Sequence, residues 1–233
     1  MLGLSPGDRA LVLAVHPDDE SFGPGASIAA LTSFGVLVDV LAITCTSLPM
    51  YGGTSEPGIR AGEFEAACDA LGVTGRHIAW TDTDRARDPG AFLPDLINLI
   101  ERGMGPSLRT CAPDALLLPA HGAHHQDHQA VHRAGLAAAR PGDRRHRPIP
   151  RIVLGYDGPE DRAWQAADTD RPLLVNTSRT WAVKEKAMLC HASQLRDAPH
   201  PRSLAKIRAL DEATGAACGV SMAERFAIYR MEV

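Results

Sequence analysis

The chain has 233 residues, of which 45% are hydrophobic and 22% charged, with a formal charge of −4 at neutral pH. That balance excludes intrinsic disorder, which needs low hydrophobicity and high net charge, and leaves enough apolar surface for a sizeable core. It also excludes a broad nucleic-acid face, because phosphate backbones demand clustered Lys and Arg and the basic cluster from Arg144 to Arg147 is short.

Ala10 to Val15 is an apolar run of strand length, followed by a turn and a helix-like segment from Gly25 to Phe34. The theme recurs. Leu37 to Ile43 reads as a strand, Ile59 to Leu71 as a helix and His77 to Trp80 as a short strand; Ala91 to Arg102 reads as a helix, Ala115 to Leu118 as a strand and His128 to Arg140 as a helix. Beyond Arg140 the regularity weakens, then resumes with strands at Arg151 to Leu154 and Leu173 to Asn176, helices at Thr180 to Ala192 and Ser203 to Ala213, and a last strand at Arg225 to Tyr229. Such alternation predicts a single domain over 1–233 of the α/β class: Rossmann-like, with a mostly parallel sheet, helices on both faces and three α/β/α layers.

The five cysteines are far apart and never spaced as Cys-x-x-Cys, so they read as reduced packing residues. The N-terminus carries no basic region followed by a long apolar segment, and no stretch approaches membrane-spanning length. A cytoplasmic protein without membrane insertion is expected.

In open parallel sheets ligands bind beyond the carboxyl ends of the strands. Two such places are unusually polar. His16-Pro17-Asp18-Asp19-Glu20 follows the first strand, and His121-Gly122-Ala123-His124-His125-Gln126-Asp127-His128 follows the fourth. Alone, the first reads equally as a helix N-cap and the second as solvated loop histidines. Together they offer imidazole and carboxylate ligands from two loops that one crevice can join, and hydrolytic zinc needs about three such ligands with one position left open. A bent loop can turn His16 and Asp19 to one point while Asp18 points elsewhere. His125 and His128 share a helix face, so that one can bind metal and the other face a substrate.

These residues resemble the LmbE-like deacetylases that include the PIG-L enzymes. Val15-His16-Pro17-Asp18-Asp19-Glu20 is similar to that family's opening loop, and His125-Gln126-Asp127-His128 to its second motif, with Gln126 in place of the usual proline. Weaker likenesses follow in order at Arg60-x-x-Glu63, Lys184-x-x-Ala187, His191-x-Ser193-Gln194 and Glu224-x-Phe226. The glycine-rich stretch after Glu20 departs from the family pattern, reading Ser21-Phe22-Gly23-Pro24-Gly25.

The resemblance implies a metal-dependent N-deacetylase with Zn2+, or Fe2+ as the other candidate, held by His16, Asp19 and His128. It further implies a metal-activated water with Asp18 as general base, His125 assisting the oxyanion or the leaving group, and Asp127 as carboxylate partner of His125. The expected substrate is a small N-acylated molecule, a glycoside or glycoconjugate of an amino sugar, and a homo-oligomer stays open. An amidase of a thiol conjugate or natural-product amide would share the metal site, whereas a non-catalytic metal-containing binding protein would need neither Asp18 nor His125.

Arg60 reads either as a substrate contact or as a surface ion pair with Glu63. Asp82, directly after the third strand, reads either as a sugar-hydroxyl contact or as a turn aspartate. His191 reads as a hydrogen-bonded interior residue. Specificity is expected in the loops Met50 to Pro57, Asp82 to Gly90 and Asp157 to Pro172.

Overall fold

The structure is a computed structural model that describes residues 1–50, 53–82, 88–163 and 172–232. In chain order it contains β1 (Arg9–Ala14), α1 (Asp19–Phe22), α2 (Gly25–Ser33), β2 (Leu37–Cys45), a two-strand hairpin β3 (Pro49–Met50) and β4 (Gly53–Thr54), and α3 (Pro57–Leu71). β5 (Gly75–Thr81), α4 (Leu93–Arg102), α5 (Leu108–Cys111), β6 (Ala115–Pro119) and α6 (Gln126–Ala138) follow. The chain continues with β7 (Ile152–Tyr156), β8 (Leu173–Asn176), α7 (Trp181–Cys190), α8 (Leu204–Ala216) and β9 (Ala223–Met231).

The main sheet has seven strands in the order β5-β2-β1-β6-β7-β9-β8. The first five are mutually parallel, whereas β9 runs antiparallel to both β7 and β8. β1 is buried from Ala10 onward and β2 from Val38 onward, as strands covered on both faces must be. Their side chains divide by parity. Ala10, Val12 and Ala14 join Val38, Val40 and Ala42 against Ile28 and Leu31 of α2, Phe64 of α3 and Ala187 of α7. Leu11 and Leu13 join Leu41 and Ile43 against Leu96 and Ile100 of α4 and Val131, Ala134 and Ala138 of α6.

From β1 the chain builds outward to β2 and β5 on one side, then returns to the other side of β1 for β6 and β7. The switch in direction therefore lies between β1 and β6, which opens a crevice beyond the carboxyl ends of those two strands. Both polar loops leave from there. Close packing behind the crevice requires a glycine: a Cβ on Gly23 would lie 2.6 Å from the Tyr156 ring, whose hydroxyl donates to the Leu13 carbonyl at 2.7 Å. Residues 51–52, 83–87 and 164–171 of the three anticipated specificity loops lie outside the described residues.

Candidate active site

The loop after β1 closes on itself. The backbone N–H of Asp18 donates to the His16 carbonyl at 2.9 Å, and the Asp19 carboxylate accepts the His16 backbone N–H at 2.9 Å. That second bond brings the carboxylate to the His16 ring, with its Oδ2 3.9 Å from Nδ1. Opposite, His125 caps α6: its Nδ1 accepts the Asp127 backbone N–H at 3.2 Å, which places the proton of the neutral ring on Nε2. His128 lies in the first turn of the same helix and shares its inward face.

The two loops bring His16, Asp19 and His128 together, one ligand atom of each lying within 4.8 Å of the others. Asp19 Oδ2 is 3.4 Å from His128 Nε2 and 3.9 Å from His16 Nδ1. Both separations exceed an ordinary hydrogen bond, although the three side chains are only 7–12% exposed. The His16, His125 and His128 rings form a triangle with centroids 5.2 to 5.7 Å apart. Two imidazoles and a carboxylate with lone pairs converging on one space suit a divalent cation of the zinc or ferrous type.

Asp18, which adjoins Asp19 in the same loop, is 1% exposed. Its Oδ2 is 3.2 Å from Arg202 Nη1 and 3.8 Å from Arg60 Nη2, while Oδ1 is buried with no hydrogen-bond partner among the described residues. Asp127 lies nearer His16 than its supposed partner His125: its Oδ2 is 3.2 Å from His16 Nε2 and 3.9 Å from His125 Nδ1. The short spacing from His125 to Asp127 leaves Asp127's own amide, not its carboxylate, on the His125 ring.

The charges follow from these contacts. Burial alone would raise the Asp19 carboxyl, but His128 and His16 hold it far below the usual carboxylate range. Burial alone would lower His128; Asp19 and Asp161 outweigh it and push that imidazole up to about 10. Burial and then the neighbouring His16 hold His125 below its ordinary value, so its neutral form is favoured. Asp127 is also lowered, burial being outweighed by His16.

Arg60 is 6% exposed and turns to Asp18 and Ser55, not to Glu63, which instead accepts bonds from Ser193. Asp82 accepts the Ser47 amide at 2.9 Å and also its hydroxyl, so that carboxylate holds a loop at the carboxyl end of β2. His191 is fully buried and 2.8 Å from Glu20. Two polar neighbours of the site carry no sequence motif. Arg202 precedes α8 and reaches Asp18, and Asp161, in the single turn Asp161–Ala163 after β7, faces His124 and His128. The Asp-rich composition after Asp157 hinted at the second; nothing in the sequence singles out the first.

The family profile described as "PIG-L: GlcNAc-PI de-N-acetylase" matches residues 11–139. The chain is 32% identical over 158 residues to 1D-myo-inositol 2-acetamido-2-deoxy-alpha-D-glucopyranoside deacetylase 2 of Catenulispora acidiphila, a match covering 56% of this chain and about half (51%) of that protein. It is 29% identical over 214 residues to the probable N-acetyl-alpha-D-glucosaminyl L-malate deacetylase 2 of Bacillus cereus, covering 88% and 92% of the two chains. Among solved structures, the A40926 pseudoaglycone deacetylase superposes with a TM-score of 0.74 at 25% identity, over 97% of this chain and 98% of that one.

Proposed function

The chain belongs to the PIG-L family of GlcNAc-PI de-N-acetylases, hydrolases of an N-acyl amide, and from that premise we propose that it removes an acetyl group from an N-acetylated amino-sugar conjugate. His16, Asp19 and His128 would hold the divalent metal, zinc in the first instance. The observation that carries this reading is the convergence of these three side chains within 4.8 Å, together with the buried Oδ1 of the adjoining Asp18, which has no hydrogen-bond partner among the described residues. A cation bound there supplies Lewis acidity, polarising the amide carbonyl and making water easier to deprotonate at neutral pH.

Each remaining step falls to the chain's own groups. Arg202 and Arg60 hold one oxygen of Asp18, which leaves Oδ1 to take the proton of the attacking water. Neutral His125, with its proton on Nε2, donates a hydrogen bond to the carbonyl oxygen as negative charge develops there. As the C–N bond breaks, Asp18 returns its proton to the leaving amine, and acetate is the second product. Because His125 is favoured in its neutral form, Asp18 is the better-suited carrier of that proton.

The test combines elemental analysis of wild type, His16→Ala and Asp19→Ala with acetate release from N-acetylglucosamine conjugates of inositol and malate. About one metal per chain, lost in both variants, together with acetate release from the wild type, is the expected result. Bound metal without acetate from any conjugate would move the substrate to other amides. A chain that binds no metal under zinc-replete conditions would overturn the reading.

A further inference from the structure

We propose that Asp161 is a positioning residue for the metal-binding histidines, holding His128 from the side away from the metal and clamped in place by His124. The inference rests on the reading of His16, Asp19 and His128 as the ligand set. Asp161 belongs to neither motif and reaches the site from the loop after β7.

Its carboxylate is 4% exposed, a placement that carboxylates tolerate only when paired. Oδ1 lies 2.8 Å from His124 Nδ1 and accepts the His124 backbone N–H at 3.2 Å. Oδ2 faces His128 Nδ1 at 3.7 Å, within ion-pair reach and a small rotation from a hydrogen bond. The other nitrogen of the same ring, Nε2, is the one turned to Asp19 at 3.4 Å. His128 therefore has one carboxylate of the ligand set in front of it and one behind it.

That is the arrangement in which a ligating imidazole donates its spare N–H to a carboxylate, which fixes the tautomer and the ring orientation. With Nδ1–H directed at Asp161, the lone pair of Nε2 is left for a cation. His16 is backed in the same way, since its Nδ1 faces Asp19 and its Nε2 faces Asp127. Both imidazoles of the ligand set thus have a carboxylate behind them, one from the histidine motif itself and one from a different loop. His124, with its side chain 53% exposed and turned to Asp161, acts as the clamp and not as a ligand. The loop bearing Asp161 has its own anchor, the Asp157–Arg225 pair at 2.5 Å, formed with β9 and not with the histidine motif.

Full-length wild type, Asp161→Ala, Asp161→Asn, His124→Ala and Asp157→Asn would be stripped of metal and titrated with Zn2+ against a chromogenic chelator; Co2+-loaded samples would be compared by visible absorption. Asp161→Ala is expected to weaken zinc binding about 10- to 100-fold and to shift the cobalt bands. Asp161→Asn and His124→Ala should show smaller losses in the same direction, and Asp157→Asn none. If Asp161→Ala fails to fold, the Asn and His124 variants carry the test. Wild-type affinity and an unchanged cobalt spectrum in the Asp161 variants would overturn the proposal, as would an equal loss in Asp157→Asn, which would trace the effect to the loop and not to the carboxylate. A wild type that binds no zinc would overturn the proposed function itself.

Discussion

Around Lys184 and around Asp19 the protein buries charge in two different ways. Lys184 Nζ donates to the Gly23 carbonyl at 2.9 Å, to Asp211 at 2.9 Å and to Glu224 at 2.7 Å, so all three of its donors are used. Glu224 also accepts the Ala26 and Ser27 amides at the start of α2, and Asp211 accepts the Trp181 indole N–H at 3.1 Å. Around Asp19 the contacts to the imidazoles are 3.4 and 3.9 Å, and neighbouring Asp18 keeps one buried oxygen without a partner among the described residues. Buried polar groups are normally satisfied, and a half-paired cluster is costly unless something else completes it. The satisfied cluster ties α2, α7, α8 and β9 together. The underpaired one leaves lone pairs that the proposed cation and substrate would take up.

Substitutions should separate the two clusters cleanly. Lys184→Ala would strand Asp211 and Glu224 in the interior and is expected to cost about 3–5 kcal/mol in urea unfolding, with metal content per folded chain unchanged. Metal loss in that variant would merge the two regions. Asp18→Asn should do the opposite, lowering kcat by about 10²- to 10⁴-fold while bound metal per folded chain holds; full activity would remove Asp18 from its proposed role as base.

The pH dependence tests the underpaired cluster alone. In the metal-free protein His128 is raised from 6.5 to about 10, so folding favours its imidazolium. That contribution is complete below about pH 6.5 and is lost as pH climbs through about 10. A cation must displace the same proton, so zinc affinity should rise about tenfold per pH unit across that window while metal-free stability falls. Zinc titrations and urea melts of stripped protein at several pH values would show it, and affinity that falls with rising pH would break the assignment. The smallest expected effect is that of Trp181→Phe, which removes one hydrogen bond from a carboxylate still held by Lys184; about 1 kcal/mol of destabilisation is expected.

Much of the fold was legible because the inner strands β1 and β6 are near-continuous apolar runs bounded by polar turns, and β2 is one too apart from Asp39 and Thr44. β9 was legible as a strand but not in its direction, which depends on how α8 lies against it. The metal-site candidates were legible because His16, Asp19, His125 and His128 sit in two compact motifs, each at a strand end. Arg60 was visible on its helix, yet its partner was not: spacing along α3 offered Glu63, and the fold turned the guanidinium to Asp18. Arg202 was hidden because it comes from a segment remote in sequence from Asp18, and Asp161 was only hinted at by the Asp-rich loop that carries it, whose docking against His128 the sequence does not show.

By itself the sequence determined which residues are candidates for the chemistry and that they follow strands, since residue type and hydrophobic period are local properties. Only the tertiary structure decided that the two motifs share one crevice, that Asp127 backs His16, and which distant arginine and aspartate complete the surroundings. Those outcomes depend on strand order and on where loops dock, and contacts that span from 33 to 184 residues leave no periodic trace in the chain.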